Sequence, residues 1–180
     1  MAVKTVLKIG NPFLSKTAIK VSSFDAELRH GVIQDMLDTM EAEDGAGIAA
    51  PQIGVDLRII IFGIEKNPRY PEAEAVPTTI LINPEITPLS DTQEDAWEGC
   101  LSVPDYRGLV PRYKSIRYTG FDENGQTIDR DVSGFHARVV QHELDHLDGI
   151  LYPQRIVNLK DFGLINELEE ADIIPKIKNE

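Results

Sequence analysis

The chain is read from Gln141-His142-Glu143-Leu144-Asp145-His146-Leu147-Asp148-Gly149. His142 and His146 are four residues apart. On a helix that spacing puts both imidazoles on one face, about one turn from each other. Two neutral imidazoles so placed can hold one divalent metal ion. Glu143 follows the first histidine, so its carboxylate can reach a water on that ion and take its proton. This is the H-E-x-x-H pattern, two ligands plus a general base. Val139, Val140 and Leu144 are apolar around the same helix, which predicts that it is buried. Gly134 precedes it, and Gly149 is a natural C′ residue for its end.

Upstream, Ile116 to Phe121 and Thr127 to Val132 flank Asn124-Gly125, the strongest short-range hairpin signal in the chain. Leu57 to Phe62 is a short β-branched run and reads as a buried strand. Thr78 to Ile82 reads as another, stopped by Asn83-Pro84. Glu65 to Pro77 carries Pro68, Pro71 and Pro77 and reads as an exposed loop. Leu28, Val32, Met36 and Met40 recur every four residues, with Ile33 and Leu37 widening the stripe. They predict an amphipathic helix from about Phe24 to Glu43, capped by Ser22 or Ser23 and ended by Gly45 and Gly47. Val6 to Ile9 is expected as a short edge strand broken by Gly10-Asn11-Pro12. The tail after Tyr152 predicts one short helix around Asp161 to Ala171. Short strands with two strong helices suggest α+β, with short mixed or antiparallel sheets in a single domain, 1–180.

Composition narrows the function. Hydrophobic residues are 42% and charged residues 27%, ordinary for a globular chain. Eighteen basic against 30 acidic residues give a net charge of −12. That argues against binding nucleic acid or an anionic membrane. No apolar run approaches the roughly 18 residues of a transmembrane helix. The N-terminus lacks the layout of a signal peptide, so a cytoplasmic protein is expected. The single cysteine, Cys100, allows no internal disulfide.

A metal site of this kind usually has three protein ligands and one open position. His30 lies on a polar face of the first helix. His136 is six residues before His142, a poor spacing for a shared ion. Cys100 is the stronger candidate, within Glu98-Gly99-Cys100-Leu101-Ser102-Val103-Pro104. The plainer alternative is a small buried hydrophobe. Its neighbours do not form a simple apolar strand. A second constellation is Gly45-Ala46-Gly47-Ile48-Ala49-Ala50-Pro51-Gln52. Taken alone it reads as a helix end and a tight turn, but its glycines allow close approach of a ligand. Gln52 offers an amide donor for a developing oxyanion. A phosphate loop is excluded, since no Lys-Ser or Lys-Thr follows the glycines.

These three motifs, in this order and at these spacings, resemble those of the peptide deformylases over nearly the whole chain. The resemblance implies sheets around a central helix bearing H-E-x-x-H. It implies a ferrous ion, with nickel, cobalt or zinc as substitutes. It further implies removal of the formyl group from the N-terminal formylmethionine of new proteins, releasing formate. Carried over, Cys100, His142 and His146 would ligate the metal, and Glu143 would act as general acid–base on the metal-bound hydroxide. Gln52 and the Leu101 N–H would hold the formyl oxygen. Gly45 and Gly47 would meet the substrate main chain, and Val139 would wall the methionine pocket. Asp145 would orient a histidine or pair with an arginine such as Arg112. Trp97 and Arg138 would line the entrance. Position 46 is Ala where many members carry a branched apolar residue, which affects pocket shape. The partners expected are N-formylmethionyl nascent peptides in a bacterial cytosol or an organelle. Some relatives contact the ribosome through a basic C-terminal helix. Residues 155–180 here hold four basic and six acidic side chains, net −2, against that route. A metalloprotease using the same motif, or a non-catalytic metal-binding module, would be the competing readings.

Overall fold

The computed structural model describes residues 2–64 and 75–176. Five antiparallel strands form one sheet in the order β1-β2-β3-β6-β7. They are β1 (Gly47–Ala49), β2 (Ile59–Ile64), β3 (Val76–Pro88), β6 (Ser115–Phe121) and β7 (Thr127–Ser133). A second antiparallel sheet has the order β4-β5-β8, from β4 (Gln93–Cys100), β5 (Val103–Tyr113) and β8 (Phe162–Leu164). Helices are α1 (Gln34–Ala42), α2 (Gly134–Leu147) and α3 (Ile165–Glu170). The α+β expectation, with antiparallel sheets around the helix that carries both histidines, is met.

Alternation along β2 explains the layering, because successive side chains point to opposite faces of a sheet. Ile60, Phe62 and Ile64 join Val139, Val140 and Leu147 of α2 in one cluster. Ile59 and Ile61 join Met36 and Met40 of α1 in another. Ile59 to Phe62 are all fully buried. Each such side chain contributes roughly 1.5–3 kcal/mol by leaving water. The β6–β7 hairpin forms as Asn124-Gly125 predicts, with Gly125 left-handed at φ 78°. α2 ends where Gly149 predicts. That glycine has φ 72°, and a Cβ there would stand 2.6 Å from the Ser15 carbonyl carbon.

Several local expectations fail for identifiable reasons. Residues 2–7 run without regular structure, and Leu7 and Ile9 donate instead to the Gln52 and Ser102 carbonyls. β3 does not stop at Asn83-Pro84. A register shift between Ile82 and Glu85 absorbs the proline, and Asn83 sits left-handed there, its side chain bonded to both backbone groups of Val21. Such bulges are where strands tolerate proline. The first helix begins with Asp25 accepting from the Leu28 N–H, while Ser23 donates to the Asp25 carboxylate. It passes through a π-helical stretch, Leu28–Ile33, before α1. Gly47, expected in a turn, lies in the buried strand β1. β4, β5 and β8 were not expected at all. Most of the loop expected over 65–77 lies outside the described residues, and Pro77 belongs to β3. The tail helix is α3, shorter than the pattern suggested. Among the described residues no helix is long and apolar enough to cross a membrane.

Candidate metal centre

α2 supplies His142 and His146, both buried, with their rings 5.1 Å apart. Cys100 arrives from the end of β4, and Leu101-Ser102 turns the chain into β5. The three side chains offer donor atoms all within 4.8 Å of one another, and Cys100 Sγ lies 3.3 Å from His146 Nε2. A tetrahedral ion with one sulfur and two nitrogen ligands would hold sulfur and nitrogen about 3.5 Å apart. The donor set therefore fits a soft-to-borderline divalent cation with a fourth position left over. His30 is exposed, and His136 packs at a tilt against Phe62 and Tyr118 instead of joining the cluster.

Charge in the site follows from burial and contact. Burial opposes a charge on Cys100, yet the facing His146 and His142 imidazoles hold its thiol well below the ordinary range. The Ser102 N–H at 3.4 Å and the Gln52 amide at 3.6 Å also aim at that sulfur. Burial pushes the Glu143 carboxyl up to about 7, despite the nearby imidazoles. Its Oε2 has no hydrogen-bond partner among the described residues. A buried carboxylate oxygen left unbonded is costly unless something else occupies that space in the working state. Gly47 makes room for it. A Cβ at position 47 would collide with Glu143, lying 2.7 Å from its Cδ and overlapping Oε1.

Gln52 is oriented by its own turn, Ala50–Ile53. Its Oε1 accepts from the Ala49 N–H at 2.8 Å, which obliges the amide nitrogen to face Ser102 Oγ at 3.1 Å and the sulfur. Lys8 Nζ donates to the Leu101 carbonyl at 2.8 Å and pins the turn from outside. Gly45, Gly47, Gln52, Cys100, Leu101, Val139, His142 and Glu143 all border one cleft of about 630 Å³.

A family model described as polypeptide deformylase matches residues 3–162. The chain belongs to the polypeptide deformylase family. It is 58% identical over 166 residues to peptide deformylase 1 of Nitrosomonas europaea, covering 92% of this chain and 94% of that one. It is 51% identical over 180 residues to peptide deformylase 1 of Prochlorococcus marinus, covering 99% of this chain and 94% of the relative. A crystal structure of a class I type b peptide deformylase from Acinetobacter baumannii, bound to Met-Ala-Ser, superposes with a TM-score of 0.82. That pair is 39% identical, over 86% of this chain and 99% of the other. The chain is thus one of an enzyme family, and the deformylase resemblance of its motifs holds at every level of comparison.

The structure adds deformylase-site residues that the motifs did not assign. Glu98, 4% exposed, accepts from His142 Nδ1 at 2.8 Å and so leaves Nε2 for the cluster. Glu98 also takes both Arg112 Nε and Nη2 at 3.0 Å, and Arg138 Nη1 at 2.7 Å. Burial alone would raise this carboxyl, but His142 and Arg112 hold it far below the usual carboxylate range. Arg138 borders the cleft as expected, with Trp97. Its guanidinium is nonetheless committed inward, to Glu98 and to the Val110 carbonyl. Asp145 is buried and pairs with Arg112, as one of its two expected roles had it, and with Arg155. Among the described residues its side-chain partners are these two arginines, and the carboxylate that meets a histidine is Glu98. The available clue was a carboxylate two residues before the cysteine in a polar segment.

Proposed function

We propose that this chain, as one catalytic domain, removes the N-formyl group from the N-terminal formylmethionine of newly made proteins and releases formate. What carries the reading is the meeting of Cys100, His142 and His146 beside a buried, unbonded Glu143 oxygen. Cys100 Sγ and the Nε2 atoms of His142 and His146 would hold Fe(2+), with nickel, cobalt or zinc able to substitute. A bound ion supplies Lewis acidity toward the formyl oxygen and an acidified water at neutral pH.

The rest of the chemistry falls to side chains. Glu143 accepts the proton of the attacking water on its carboxylate and later delivers it to the departing amine. Burial of this carboxyl raises its affinity for a proton, which suits a group that must both take one up and give it back. As the formyl carbon becomes tetrahedral, charge builds on its oxygen. The Gln52 amide, already turned toward the sulfur, and the Leu101 N–H supply donors there. The substrate main chain runs extended past Gly45 and Gly47 as an added strand. Val139, 8% exposed at the cleft, receives the methionine side chain. Nascent formylated peptides in a bacterial cytoplasm are the partners. Any transient ribosome contact would use a surface other than residues 155–180, whose net charge is −2.

The decisive measurement is formate release from formyl-Met-Ala, made anaerobically with Fe(II), with metal analysis of the same sample. Formate appearing in proportion to bound metal supports the reading. Cleavage of unformylated or internal peptide bonds in its place would make the chain a protease and overturn it.

A further inference from the structure

The cleft is not walled by the metal-bearing elements alone. Ile174, Pro175 and Lys176, which follow α3, also line it. The family model stops at residue 162, so this segment lies outside the matched region.

Its course is fixed by the way α3 ends. Asp172 turns left-handed at φ 54°. Its N–H donates to the Glu169 carbonyl at 3.2 Å, and the Ile173 N–H donates to the Leu168 carbonyl at 2.9 Å. That pair of bonds is the Schellman arrangement, which closes a helix and redirects the chain. Leu168 is buried beneath it. Immediately beyond, Ile173 is 53% exposed and Ile174 only 7%. One apolar side chain of the segment is therefore turned into the protein at the cleft, and its neighbour is left in water.

The site's inner end is taken by the formyl group, near Cys100 and Glu143, and by methionine against Val139. An extended peptide advances about 3.3 Å per residue. Residues after the methionine must then leave α2 and meet whatever lines the remaining cleft. We propose that Ile174 is a specificity-determining residue, an apolar wall for the residues that follow formylmethionine. The proposal rests on the deformylase reading of this cleft.

The test compares wild type, Ile174→Ala, Ile174→Val and Ile173→Ala as full chains. KM and kcat are measured on formyl-Met amide and on formyl-Met-Leu-Leu. Ile174→Ala is expected to raise the KM for the longer substrate roughly tenfold relative to the short one, with kcat held. Ile174→Val restores most of the ratio, and Ile173→Ala leaves it at the wild-type value. A ratio that does not move, or equal weakening of both substrates, overturns the proposal. A second readout needs no turnover. Trp97 is the only tryptophan and borders the same cleft, so its fluorescence reports binding of the peptide Met-Leu-Leu. Weakened binding by Ile174→Ala, in a protein that releases no formate from any substrate, would sink the deformylase reading and keep the wall. Formate release with unmoved KM ratio and peptide affinity would do the reverse.

Discussion

Helix α2 and the β4–β5 hairpin face each other across the cysteine and the two histidines, and they hold their groups by different means. On α2, backbone periodicity sets the spacing of His142 and His146, and fully buried Val140 and Leu147 anchor the helix. On β4, Glu98 is the one buried residue, and it is charged. Its partners Arg112, Arg138 and His142 lie 14, 40 and 44 residues away in sequence. One side of the site is placed by local geometry and apolar packing. The other is placed by a buried ion network that also fixes which His142 nitrogen faces the cluster. A ligand pair on a helix tolerates changes around it, whereas the hairpin side concentrates its risk in a few charges.

The largest effect should fall on the helix side. Glu143→Gln is expected to lower kcat about 10²–10⁴-fold while the metal-to-protein ratio stays at the wild-type value. Loss of metal together with activity would show that Glu143 props the site and does not carry its proton. The hairpin side should respond in stability instead. Glu98→Gln leaves buried Arg138 with no carboxylate partner and Arg112 with Asp145 alone, at a cost of about 3–5 kcal/mol in urea unfolding. Adding Arg138→Met, which removes the cation left without a carboxylate, should recover part of that loss. A Glu98→Gln protein within about 1 kcal/mol of wild type would end the contrast between the two sides.

The same contrast separates what local sequence specifies from what only the folded chain brings together. The spacing of His142 and His146, the stop at Gly149 and the Asn124-Gly125 turn are local signals, and all three held. β4 and β5 have no such signal. Gln-Glu-Asp-Ala-Trp-Glu-Gly-Cys lacks an apolar alternation, and Pro104 and Pro111 argue against a strand. Their pairing is rewarded by ion pairs between distant residues, which no window of sequence contains. Cys100 was legible by its motif, while the parts played by Glu98, which accepts from His142, and by Arg138, which donates to Glu98, were not. β3 failed at Asn83-Pro84 because a tertiary contact to Val21 overrode a local stop.

Gln52 lies between the two sides, and its two ends can be separated. Gln52→Glu keeps an oxygen for the Ala49 N–H but removes the amide donor. Turnover should fall about 10²–10³-fold, with kcat and kcat/KM falling together, as for loss of a donor used only in the transition state. A rise in KM alone would make Gln52 a ground-state contact.

The smallest effect is a pH dependence of the metal-free protein, and it again divides helix from hairpin. Burial holds the Glu143 carboxyl near 7, against an ordinary value of 4.5. Between those values the folded protein binds the proton and the unfolded chain does not. Stability is therefore lost as pH rises through that window, to a total of about 3 kcal/mol. Glu98 works in the opposite sense, since its carboxyl is held low. Its contribution is present above its ordinary value and fades as pH falls. Glutamine at position 143 carries no charge at any pH and removes only the first of these. Metal-stripped Glu143→Gln should thus exceed wild type by about 3 kcal/mol near pH 8 and match it near pH 4, because the Glu98 term is common to both proteins. Urea midpoints across that range measure the difference. A gap that stays constant with pH would mean that Glu143 is already ionised when folded, and burial on the helix side would then not set the acidity of the group proposed to move the proton.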